Sequence, residues 1–340
     1  MTSTVLTILA GGFSRRYQDS KVQWQDKALT NFENVPLLVN LVNRARRFYD
    51  DICISVNSEA RKEEYLKILH QFEPSFKPNF VVDKDNNEIQ GVLQGITSVL
   101  TKYQEKEIQF IPTDFPFIDF EILRNIKVRS GGVGILYYSS GMIEPLLTLY
   151  GYPRYFPDQF QSLFLSRADV MIRLSSHLNL YNIEQILEVN KLSPSVFNNI
   201  NIQSGSNSVI DIFKESRSII IPAPKEIKRS DLSNLKFPSE SLDYVNFIYE
   251  IIERKQFYAS FLWSRYYLQN KMISSEDYQN LGNVSLKRES QFWLDNNLPF
   301  LALHALQDII QYLPEEKNVK ILKEISSLRK KLGIESRKVN

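Results

Sequence analysis

The chain has 340 residues, 43% of them hydrophobic and 24% charged, with a formal net charge of +2. That is a globular composition, long enough for one large or two ordinary domains, and its near-neutral balance gives no ground for nucleic acid as a partner. The single cysteine, Cys53, excludes an internal disulfide framework and a thiolate metal cluster within one chain, and the three histidines (His70, His177, His304) lie too far apart to form a ligand motif.

The first stretch, residues 4–16, reads TVLTILAGGFSRR. Val5, Leu6, Ile8 and Leu9 form a short apolar run that stops at Ala10-Gly11-Gly12, the pattern of a buried parallel strand closed by turn residues. Glycines there let the backbone approach a ligand closely. Backbone N–H groups of such a turn, with Arg15 and Arg16 beside them, suit a polyphosphate. An ordinary Gly-Gly turn is the alternative, and the stretch matches neither a Walker A loop nor GxGxxG. No N-terminal signal is visible and no apolar run reaches membrane-spanning length, so a cytoplasmic protein with no membrane association is expected.

Residues 36–48 read as a helix with Leu37, Leu38, Leu41, Val42 and Ala45 on one face. A strand over 51–56 ends at Asn57, a helix covers 59–72, and a short strand over 79–82 ends at Asp83. Cys53 falls in the alternating DDICISV and reads as a small buried hydrophobe. This βαβαβ order predicts a parallel sheet with right-handed crossovers, in which ligands sit at the carboxyl ends of strands. Gly11, Asn57 and Asp83 all fall at that edge. A fourth strand over 108–112 precedes Thr113-Asp114-Phe115-Pro116-Phe117. An acidic residue at the end of a central strand is costly without a partner; Asp114 either binds a metal or caps a turn before Pro116. Strands over 134–138 and 145–150 and helices over 156–164 and 168–174 follow.

LAGGFSRR resembles the L-A-G-G-x-S-x-R signature of the MobA-like nucleotidyltransferases of molybdenum cofactor synthesis, nearest their guanylyltransferase branch. DKALTNFENVPLL resembles that family's D-K-x-L…G-x-P-L-L segment, with residues 17–25 as an insertion, which makes Asp26-Lys27 the counterpart of its DK pair and Asp19-Ser20-Lys21 a rival. ISVN and VVD match its second and third strand ends. GVLQGI resembles G-P-L-x-G-I with Val92 for proline, and TDFPF resembles C-D-M-P-F. EPLLTLY, from Glu144, resembles E-P-L-x-x-x-Y, and FNNIN resembles a late N-x-N motif without its usual Thr-Pro. The matches run in family order to about residue 213.

The resemblance implies a Rossmann-like α/β nucleotidyltransferase domain over 1–213 with a mostly parallel sheet. It implies a nucleotide site at Leu9, Ala10, Gly11, Gly12, Ser14, Lys27, Asn57, Asp83, Gly91 and Asp114. Arg16, Lys27 and Asp114 would be catalytic, Asp114 the ligand of Mg²⁺, and Asn199 and Asn201 the substrate and metal end. The implied reaction moves GMP from GTP to a molybdopterin-type cofactor and releases pyrophosphate. The alternatives are a same-fold cytidylyl or sugar-phosphate nucleotidyltransferase, and a non-catalytic nucleotide- or cofactor-binding scaffold.

From Lys214 the composition shifts to proline, serine and charge, and 214–241 reads as a connector. Residues 242–340, outside the resemblance, read as a smaller all-α domain: Val245, Ile248, Tyr249 and Ile252 share a helix face, as do Leu303, Leu306, Ile310 and Leu313, and Leu322, Ile325 and Leu332. Its aromatic cluster (Phe257, Tyr258, Phe261, Trp263, Tyr266, Tyr267) reads as core; as a partner surface it would receive a molybdoenzyme or a cofactor-delivery protein.

Overall fold

A computed structural model describes residues 4–12, 26–83, 91–151, 168–198, 218–232, 235, 236, 238, 243–313 and 319–334. In the first half the elements are β1 (Thr4–Leu9), β2 (Asn31–Phe32), β3 (Val35–Pro36), α1 (Leu37–Ala45), β4 (Asp51–Val56), α2 (Glu59–Phe72), β5 (Asn79–Val82), α3 (Val92–Lys102), β6 (Glu107–Pro112), α4 (Phe120–Asn125), β7 (Val133–Tyr137) and β8 (Ile143–Tyr150). They are followed by α5 (Val170–Leu174), β9 (His177–Asn182), α6 (Ile183–Asn190) and β10 (Lys225–Lys228). Five helices complete the chain: α7 (Tyr244–Glu253), α8 (Phe257–Gln269), α9 (Ser275–Asp295), α10 (Pro299–Tyr312) and α11 (Val319–Lys331).

Eight strands form one sheet in the order β10-β9-β7-β8-β6-β1-β4-β5. β1 pairs in parallel with β4 and β6, β4 with β5, and β7 with β9; β8 is antiparallel to both neighbours and β10 to β9. β4, β5, β6 and β8 end where the sequence predicts; the strand expected over 134–138 spans Val133–Tyr137, and the helix expected over 156–164 lies outside the described residues. The helix expected over 36–48 stops at Ala45. Within the stretch read as a connector, Lys225–Lys228 adds an edge strand.

The alternation of β1 sends its side chains to two cores. Leu6 and Ile8 pack with α1, α2, α4 and α6 on one face, while Val5 joins the other face with α3 and α5. That second core continues without interruption into α7 to α11, including Phe247, Tyr258, Phe261, Trp293 and Leu306. The helical region therefore shares its core with one face of the sheet domain, and the aromatic cluster is core. On α7 the buried residues are Phe247, Ile248, Ile251 and Ile252. Tyr249, expected on that face, is 44% exposed.

A buried ion cluster ties the helices to the sheet domain. Arg173 of α5 is fully buried; its Nε and Nη2 donate to Glu289 of α9 at 2.8 and 2.7 Å, and its Nη1 donates to Asp308 of α10 at 2.6 Å. Its guanidinium lies 3.7 Å from the centre of the Tyr258 ring. Asp169 Oδ2 lies 2.8 Å from His304 Nδ1 and 3.8 Å from Arg173 Nη1. Arg229, just past β10, donates to the carbonyl oxygens of Arg173, Ile172 and Ser175. The Glu289 and Asp308 charges are tolerated this deep because Arg173 matches both with directed hydrogen bonds.

Candidate active site

The carboxyl ends of β1, β4, β5 and β6 converge at one edge, drawn together by backbone bonds. Ala10 N donates to Ser55 O at 2.9 Å, and Asp83 N donates to Val56 O at 2.8 Å. A Cβ on Gly11 would sit 3.1 Å from Asn57 N, a tight contact that glycine avoids where the chain leaving β1 passes the end of β4. Leu9, Ala10, Gly11, Gly12, Asn57 and Asp83, separated by up to 74 positions, thus share one edge. Gly91 stands at the N-cap of α3 with φ 73°.

Asp83 faces Ser55, whose hydroxyl donates to its carboxylate at 3.5 Å. Burial pushes the Asp83 carboxyl up to about 6, against that hydrogen bond. Gly95 on α3 backs the pair: a Cβ there would be 2.8 Å from Ser55 Oγ and 3.4 Å from Asp83 Oδ1.

Lys27 and Asp114 meet across the edge. Lys27 begins a short 3-10 turn, Lys27–Leu29, capped by Asp26, whose Oδ1 accepts Ala28 N at 3.0 Å. That turn aims Lys27 Nζ at Asp114 Oδ2, 3.2 Å away. The other carboxylate oxygen, Asp114 Oδ1, is buried with no hydrogen-bond partner among the described residues. Arg44 of α1 secures the segment after β6 by donating to the carbonyl oxygens of Pro116 and Ile118. A buried carboxylate oxygen without a partner fits Mg²⁺, which takes one or two carboxylates and fills its remaining positions with phosphate and water.

Glu144 is a further acid at this edge. Glu144, on β8, lies near enough to Asp114 to feel its charge. Burial pushes the Glu144 carboxyl up to about 7; a hydrogen bond from Tyr138 opposes this and the Asp114 charge adds to it. In the sequence Glu144 stands out only as the first residue of EPLLTLY. Arg61 and Tyr65 of α2 do not stand out there, because a helical arginine and tyrosine read as solvated charge and core. Ser14, Arg16, Lys21, Asn199 and Asn201 lie outside the described residues.

Residues 6–173 match the family model of the MobA-like NTP transferase domain. The chain carries a MobA-like NTP transferase domain. Relatives agree in kind. A probable molybdenum cofactor guanylyltransferase of Methanosarcina mazei is 26% identical over 212 residues, covering 61% of this chain and 90% of that protein. A molybdenum cofactor guanylyltransferase of Pseudomonas fluorescens is 29% identical over 126 residues, covering 37% of this chain and 55% of that protein. Among solved structures, a protein of Aquifex aeolicus overlays with a TM-score of 0.39 at 15% identity, covering 58% of this chain and 93% of that one. The matched residues run from within β1 into α5 and include the Gly11–Gly12 turn, Lys27, Asn57, Asp83 and Asp114. No described helix is long and apolar enough to cross a membrane.

Proposed function

We propose that this chain transfers GMP from GTP to a molybdopterin-type cofactor and releases pyrophosphate. The observation that carries the reading is the Lys27–Asp114 pair beside the Gly11–Gly12 turn, a cation and a carboxylate with an orphan oxygen at one sheet edge. The names of the relatives support guanine as the base and the molybdenum cofactor as the acceptor.

In this reading the amides of the glycine turn and the Lys27 ammonium hold the triphosphate and neutralise its charge. An oxygen of the acceptor's terminal phosphate attacks the α-phosphorus of GTP. The new P–O bond forms as the bond to the β-phosphate oxygen breaks, and pyrophosphate leaves with that electron pair. No protein nucleophile is required, so the chain's contribution is positioning and charge. Asp114 would hold Mg²⁺, which supplies charge neutralisation on the phosphates. Arg16, Asn199 and Asn201 are assigned to the phosphate and acceptor ends on the family pattern.

The test is a panel of GTP, CTP, ATP and UTP with molybdopterin-type cofactor or a sugar 1-phosphate as acceptor, scored by pyrophosphate release. GTP with the cofactor should give the fastest release. Faster release with CTP or with the sugar phosphate would move the reading to another same-fold transferase. Nucleotide binding with no release from any pair would make the chain a scaffold.

A further inference from the structure

One helix touches both flanks of the segment that joins the glycine turn to Lys27. Arg61 of α2 donates from Nη1 to Gly12 O at 3.0 Å, and its Nε lies 3.4 Å from Asp26 Oδ2. Tyr65, one turn further along and fully buried, places its hydroxyl 2.7 Å from Asp26 Oδ2 and 3.2 Å from Ala10 O. A phenol has a single proton, so the closer, charged oxygen takes it. Burial and the Asp26 charge both push the Tyr65 phenol well above its usual range, so it stays a donor. The remaining Asp26 oxygen caps the turn that starts at Lys27. Ser58 fixes where α2 begins, its side chain accepting Arg61 N. A chain of polar contacts therefore runs from Gly12 through Arg61 to Asp26, where Tyr65 joins it, and on to the turn that aims Lys27 at Asp114.

These contacts are expensive to bury unless they are made together, since a carboxylate at this depth needs its donors. They also set a distance. The glycine turn and Lys27 would contact the same triphosphate from two sides, and a misplacement of about 1 Å at such a site costs up to about a hundredfold. We propose that Arg61 and Tyr65 are positioning residues that act through Asp26, holding the glycine turn and Lys27 at the separation a nucleoside triphosphate requires. The assignment rests on the nucleotidyltransferase reading and adds to it two residues that touch neither substrate.

A double-mutant cycle on the full chain tests this, with Mg-GTP affinity read by calorimetry and folding by circular dichroism and thermal melting. Tyr65→Phe keeps the ring and removes the proton donor. It should stay folded and bind Mg-GTP about five- to fiftyfold more weakly. Added to Lys27→Ala it should cost less than about twofold more, because the lysine it positions is gone. Arg61→Lys, which cannot reach Gly12 and Asp26 together, should behave the same way and carries the cycle if Tyr65→Phe does not fold. Wild-type affinity in both variants, or losses that add in full to Lys27→Ala, would overturn the positioning role. The wild-type arm reports on the parent reading: a wild-type chain that binds none of the four nucleoside triphosphates overturns both.

Discussion

Lys27 and Asp114, 87 positions apart in the chain, form an ion pair at 3.2 Å with side chains 11% and 23% exposed. The pair joins the turn after Asp26 to the end of β6, and it links the residue that would meet the triphosphate to the one that would hold its cation. The two partners have different consequences when removed. Lys27→Ala should weaken Mg-GTP binding about ten- to a hundredfold, the loss of one charged partner worth about 1.5–3 kcal/mol. Asp114→Asn keeps the shape and should lower turnover by orders of magnitude while the melting temperature stays close to wild type. Lys21→Ala should remain near wild type. Pyrophosphate release and calorimetry on the three variants check the order, and a crippled Lys21 variant beside a normal Lys27 variant would move the phosphate role to Lys21.

Asp83 makes stability depend on pH. Its carboxyl is raised by burial to about 6, above its ordinary value, so the folded state binds more protons than the unfolded one between roughly pH 4 and 6. Stability from this group is therefore present at low pH and lost as pH rises through about 6. Asp83→Asn, which cannot ionise, should melt higher than wild type above about pH 6, and the difference should vanish below about pH 4. Thermal melts of both proteins from pH 4 to 8 measure it. A difference that grows toward low pH would reverse the sign.

The closeness of α3 to β4 is testable through Gly95 and Ser55. A methyl group at Gly95 would lie 2.8 Å from Ser55 Oγ. Gly95→Ala should cost about 1–3 kcal/mol of stability by overpacking. Ser55→Ala removes the clashing atom, so the double variant should recover most of that loss in chemical denaturation.

Arg173 tests how the helical region is fastened. Arg173→Met removes a fully buried charge and leaves Glu289 and Asp308 without it, which should destabilise the chain by about 3–5 kcal/mol. A triple change that also neutralises both carboxylates should be less damaging than Arg173→Met alone, because no uncompensated charge remains. Deleting residues 243–340 would open the core that the helices share with one face of the sheet domain. The truncated chain should aggregate or expose enough apolar surface to bind a hydrophobic dye.

The sequence by itself determined the local grammar. Short apolar runs closed by Gly11, Asn57 and Asp83 announced strands and their ligand-facing ends, because a strand's period and its turn residues are written in adjacent positions. The same is true of α2 and β5, whose limits match the expected ones. Ordered motifs brought Lys27 and Asp114 forward as candidates. Only the tertiary structure decided which residues meet. Asp26 is held by Arg61 and Tyr65, Asp114 is paired with Lys27 and opposed by Glu144, and Arg173 is matched by acids more than 110 positions away. The edge strand β10 and the exposure of Tyr249 were decided there too, since both depend on which surface lies alongside. Local propensity acts over a few residues, whereas a buried charge or a shared core is settled by the partner that the fold brings to it.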